Sequence, residues 1–215
     1  MNIRPVQKMV AGAVAGLLAG SAWAHGGADV APHAHSMIDS LTAGLTHPLT
    51  GADHLAAMVA VGMWSVLSAK RDGQGAQVWR HPLAFVLTLT LGAVMGMAGV
   101  NAGAAVEPMI AASLLVLGLL VAGRQQLPTV LGTLLVAGFA LFHGLAHGSE
   151  LTGHAVASLT GMMISTMGLH LAGMAFGQWA RDQGDTAKRW VSRIAGWSVA
   201  AGGTALLAPA MAQVF

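Results

Sequence analysis

At 215 residues, with 55% hydrophobic and only 8% charged side chains, the chain lies far from the roughly 25% charged residues of an ordinary soluble domain. Its formal net charge of +2 comes from basic residues dispersed between apolar runs, which excludes a nucleic-acid-binding patch. There is no cysteine, so disulfides, thiolate metal sites and thiol catalysis are excluded, and ten histidines supply imidazole instead.

Arg4 and Lys8 precede an apolar run from Met9 to Gly20 and the small-x-small site Ala22-Trp23-Ala24, which together read as a cleaved secretory signal peptide over residues 1–24. The other reading is an uncleaved first membrane helix packing through Gly12, Gly16 and Gly20. Residues 25–36 are small and polar and are expected to form a periplasmic arm containing His25, His33 and His35. Cleavage after Ala24 makes His25 the mature N-terminus, where amine and imidazole can chelate a divalent ion together. Residues 37–215 form the membrane domain, with apolar segments near 52–69, 82–101, 107–123, 127–147, 154–178 and 194–212, most of them close to the ~20 residues of a bilayer span. Short connections between them predict that consecutive helices are antiparallel neighbours. The expected fold is all-α, a polytopic membrane helical bundle of six transmembrane helices after a cleaved signal peptide.

Cytoplasmic loops retain Lys and Arg. With the mature N-terminus outside, Lys70, Arg71, Arg80, Arg124, Arg181, Lys188, Arg189 and Arg193 all fall on the cytoplasmic side, and both termini are expected on the periplasmic side. Gly92/Gly96, Gly144/Gly148 and Gly173/Gly177 are spaced for close helix contacts, since small residues let backbones approach where lipid supplies no hydrophobic drive. The methionines read as core filling rather than soft ligands.

Two motifs carry chemistry. In His143-Gly-Leu-Ala-His147-Gly-Ser-Glu150, helical periodicity puts His147 about 40° to one side of His143 and Glu150 about 20° to the other, so three ligand types share one face. In His47-Pro-Leu-Thr-Gly-Ala-Asp53-His54, Pro48 suits a helix's first turn and Gly51 allows a break. If the turn is helical, His47 and His54 share a face, while Asp53 orients a neighbouring imidazole or, if the helix is interrupted, ligates directly. Both motifs fall at the outer ends of their spans, at matching depth, where imidazole and carboxylate together suit a divalent first-row cation. Such a site weakens as pH falls, because imidazole must be neutral to ligate. His170, in the fifth span past the midplane, is a candidate relay ligand or a structural hydrogen-bonding residue. Glu107, before Pro108 at a helix start, reads first as a cap and second as a ligand. His81, between Arg80 and Pro82, reads as an interfacial cap.

His47-Pro-x-x-Gly-x-Asp53-His54-x-x-x-Met58 and Phe142-His143-Gly-x-Ala-His147-Gly-x-Glu150 resemble the two signatures of the HupE/UreJ family, the hydrogenase/urease accessory nickel permeases. The resemblance runs over essentially the whole chain. It implies Ni²⁺ as transported substrate, no permanent cofactor, and His47, Asp53, His54, His143, His147 and Glu150 as the metal positions; His25, His170 and Glu107 are further candidates. A more distant similarity, to nickel/cobalt permeases with His-x4-Asp-His where this chain has His-x5-Asp-His, keeps Co²⁺ as an alternative. The expected partners are thus the divalent ion and the lipid bilayer, with no nucleic acid. No P-loop sequence is present for ATP hydrolysis. Two other classes are open: a membrane metalloenzyme, although His-x-x-x-His lacks the adjacent Glu of the zincin motif, and a membrane-anchored periplasmic metal sensor or chaperone.

Overall fold

A computed structural model describes residues 36–69, 76–151 and 153–212; the expected signal peptide and residues 25–35, His25 among them, lie outside the described residues. The described chain is helical: α1 (Met37–Thr50), α2 (Ala52–Ser68), α3 (Ala76–Met97), α4 (Val106–Gly123), α5 (Thr129–Glu150), α6 (Ala155–Asp182) and α7 (Asp185–Ala212), with a 3₁₀ turn at Gly103–Ala105. Five of these helices are long and apolar enough to cross a membrane, and α2 is a shorter apolar helix. The side chains are distributed accordingly. Leu83, Leu87 and Leu91 of α3 and Val130 and Leu134 of α5 face outward, whereas His143, His147, His170, Ser113 and Thr166 are buried. Apolar outside and polar inside is the pattern of a bundle solvated by lipid.

Each expected apolar segment is helical, but the chain departs from expectation at its start. A helix begins at Met37, eleven residues before Pro48, so Pro48 lies in the last turn of α1 instead of the first turn of a span. Ser36 Oγ accepts from the Asp39 backbone N–H at 3.1 Å, and the Asp39 carboxylate accepts from the Ser36 backbone N–H at 3.1 Å. This reciprocal cap satisfies two backbone donors and starts the helix. Gly51 then interrupts it with extended backbone, φ −85° and ψ 110°. Residues 47 and 54 therefore belong to two helices and do not share a continuous face.

Consecutive helices α2 and α3, α4 and α5, and α6 and α7 do touch, but they are not the main packing partners. The most extensive packing joins α3 to α5, α4 to α7, and α1 and α2 to α6. Small residues explain this choice. A Cβ on Gly144 would collide with the Leu89 carbonyl, one on Gly148 with that of Ala93, and one on Gly92 with that of Leu141, so α3 and α5 run parallel with backbones in contact. Gly173 meets the Val59 carbonyl and Gly44 the Ser158 carbonyl in the same manner. The Ser40 hydroxyl also accepts from the His154 backbone N–H at 3.0 Å. Thus α1 and α2 lie end to end along α6, as one interrupted element. His54 falls between the Gly44 and Val59 contacts, so it sits near the middle of the 28-residue α6 and not at either end of that helix.

Candidate metal site

The break at Gly51 turns α1 and α2 so that each delivers one imidazole to α5. His54 Nδ1 stands 2.8 Å from His143 Nδ1. His147 fills the space beside them, its ring centroid 4.2 Å from that of His54 and 4.6 Å from that of His47. His47 Nε2 lies 3.0 Å from Glu150 Oε2, where the side chains are 28% and 59% exposed. Ligand atoms of His47, His147 and Glu150 all lie within 4.8 Å of one another. Five of the six expected residues thus converge on one cluster, graded from an exposed carboxylate to the fully buried His143 and His147.

The His54–His143 contact is a hydrogen bond whose length is also that of two ligand nitrogens on one first-row ion. Two nitrogens bound at ~2.0–2.1 Å and at right angles stand about 2.9 Å apart, close to the His54–His143 separation. Square-planar and octahedral ions both present such right-angled pairs. Both nitrogens of His147 are buried without a hydrogen-bond partner among the described residues, as expected of a side chain whose partner is an ion. The interruption contributes too, because it puts His47 in the last turn of α1 and His54 in the first turn of α2, so both helix ends meet at the cluster.

Asp53 behaves differently. Its Oδ1 accepts from the His54 backbone N–H at 2.9 Å in the first turn of α2, which offsets the positive end of that helix next to the imidazole cluster. Gly51 has no room for a side chain: a Cβ there would stand 2.7 Å from His54 Cδ2 and 3.0 Å from Asp53 Oδ1. Glu107 is exposed in the first turn of α4 and is outside the group formed by His47, His147 and Glu150. His170 is buried deeper in α6, where Nδ1 donates to the Thr166 carbonyl at 2.7 Å. His81 is not an interfacial cap. It is buried inside α3, stacked on Trp64 with centroids 4.5 Å apart, because α3 begins one and a half turns before Pro82.

Sequence reasoning missed Ser113. This buried α4 residue places Oγ 2.9 Å from His143 Nε2 and 2.7 Å from the Ile110 carbonyl. The hydroxyl has one hydrogen, which it gives to Ile110, so His143 donates through Nε2–H and keeps its lone pair on Nδ1, facing His54. No local pattern marks Ser113; its only signal is a small polar residue inside an otherwise apolar helix.

A polytopic helical membrane protein with an internal imidazole and carboxylate cluster is the class these features define. Residues 12–206 match the HupE / UreJ protein family. Over 185 residues the chain is 40% identical to Protein HupE of Rhizobium leguminosarum bv. viciae, an alignment that covers 81% of this chain and 89% of the relative. The chain belongs to the HupE/UreJ family. No solved structure matches it.

Proposed function

We propose that this protein is a permease that imports Ni²⁺, with Co²⁺ as the alternative cargo, from the periplasm to the cytoplasm for maturation of a hydrogenase or urease. The observation that carries this reading is the convergence of two sequence-distant histidine motifs, with His54 and His143 nitrogens 2.8 Å apart and an unpartnered His147 beside them. Family membership supports the metal and the accessory role. Orientation follows from charge: Arg80, Arg124, Arg181 and Arg189 stand at the helix ends remote from Glu150, and that end is assigned to the cytoplasm. The ion meets the exposed Glu150 and His47 first and exchanges water for imidazole toward His54, His143 and His147. A divalent cation entering a negative interior gains about 4.6 kcal/mol per 100 mV, twice the value for one charge, so facilitated diffusion needs no ATP.

Purified protein in liposomes containing a metal-sensitive dye tests the proposal. Ni²⁺ influx should follow an inside-negative potential, and Co²⁺ should compete for it. Absence of Ni²⁺ flux from folded, correctly oriented protein would overturn the reading and favour a sensor or an enzyme.

Ser113 supplies an independent check. Ser113→Ala should raise the apparent KM for Ni²⁺ by about 10–100-fold, the usual cost of losing a group that orients a ligand, with little change in maximal rate. Ser113→Thr, which keeps the hydroxyl, should recover most of the affinity. An unchanged KM in the alanine variant would show that His143 needs no such partner.

A further inference from the structure

Buried polar side chains in lipid-solvated bundles normally find partners. Apart from His47, which pairs with Glu150, the buried side-chain nitrogens and oxygens lacking a hydrogen-bond partner among the described residues belong to His147, Thr166, His170 and His81. His147 is part of the cluster already described. The other three residues form a second set on α6 and α3.

His170 is fixed in one tautomer. Its Nδ1–H is used on the Thr166 carbonyl at 2.7 Å, which leaves a lone pair on the unpartnered Nε2. Thr166 lies one turn earlier on the same helix, and its buried hydroxyl is also unpartnered among the described residues. The His170 ring lies edge-on to Phe85 at 5.0 Å between centroids, and the same Phe85 ring is 5.9 Å from His143. His170 therefore stands next to the cluster, separated from it by one aromatic ring. His81 lies one turn before Phe85 on α3, about 6 Å nearer the arginine-bearing end. There it is stacked on Trp64 with both ring nitrogens unpartnered. Next to it, Gly132 leaves room that a side chain would take, since a Cβ there would come within 2.9 Å of His81 Nε2.

We infer that His170, with Thr166, and then His81 are successive single-imidazole stations for a divalent first-row cation travelling from the cluster to the arginine-bearing end of the bundle. This inference rests on the permease reading. One imidazole and retained water hold such an ion weakly, which suits a passage where the ion must also leave. A site of several ligands at the same depth would trap it. Two orphaned imidazoles in a row lower stability when empty, and the fold retains them because an ion or its water fills the position during transport.

The test compares His170→Leu, His170→Met, His81→Leu and His147→Ala in the liposome flux assay, with equilibrium Ni²⁺ binding and thermal stability measured on the same preparations. The leucine variants should lose at least 10-fold in flux, bind Ni²⁺ at the cluster within two-fold of the parent affinity, and melt at the same or a higher temperature, because an unsatisfied polar group has been removed. His170→Met retains a donor atom and should recover part of the flux. Parent-like flux in both leucine variants, with His147→Ala inactive, would overturn the stations and leave the permease standing. So would a loss of flux matched by a lower melting temperature in both, since that marks a structural role. Parent-like flux in His147→Ala would instead overturn the permease reading itself.

Discussion

Replacing His147 by alanine is expected to reduce Ni²⁺ uptake to background while the protein still accumulates in the membrane. His147 is the one imidazole, among the described residues, in ring contact with both His47 and His54, edge to face with the first and tilted against the second. Its nitrogens have no hydrogen-bond partner among the described residues, so little folding energy is lost with the ring beyond its packing. The cost to metal affinity should exceed the roughly 10–100-fold typical of a residue that only orients a ligand, because a ligand itself is removed. Equilibrium dialysis of Ni²⁺ against detergent-solubilised protein, alongside uptake into intact cells, checks both quantities. Binding retained at parent affinity would mean that the cluster is not where the ion is held. Asp53→Asn provides a contrast. Since Asp53 caps the α2 backbone beside the imidazole cluster, its loss should weaken uptake through the position of His54, and binding should fall less than in His147→Ala.

The largest effect on stability is expected from Gly144→Leu. Gly144 packs directly on the Leu89 carbonyl and the Gly92 backbone, so a side chain there forces α3 and α5 apart along their most extensive contact. Overpacking of this kind typically costs about 1–3 kcal/mol. Here it also shifts the two histidines flanking Gly144 in sequence terms, His143 and His147, relative to α2 and α4. A lowered melting temperature in detergent, accompanied by loss of metal binding, is the expected outcome. Gly138→Leu on the same helix is the control, because a Cβ at that exposed position meets nothing within 4 Å. Equal destabilisation by both substitutions would show that helix propensity, not the α3–α5 contact, is responsible.

Much of the candidate site was legible because its two halves are local. His143, His147 and Glu150 share a helical face by periodicity alone, and α5 continues unbroken to Glu150 as that reading requires. The His47–His54 motif announced a helix entrance but not its form. Reading Pro48 as a first-turn residue placed the helix start too late, because the Ser36–Asp39 capping box lies a full helix upstream, in a stretch whose apolar content is too low to suggest a span. His81 was misread for a related reason: Arg80 and Pro82 resemble an interfacial boundary, yet α3 begins before them and carries His81 inward.

By itself, the sequence determined the solvent and the chemistry: composition demanded a membrane bundle, glycine spacing marked the faces where backbones meet, and the histidines and acids limited the ligands to nitrogen and oxygen. Only the tertiary structure decided which helices meet and at what depth. Loop length suggested neighbours in sequence, but in lipid there is no hydrophobic force between helices, so the closest backbone approach between small-residue faces decides, and α3 found α5 while α1 and α2 found α6. That pairing brings His54 to His143 across 89 residues of chain and sets Ser113 behind it. Contacts of that separation leave no trace in local periodicity, which reports the face of a helix and not what the face meets.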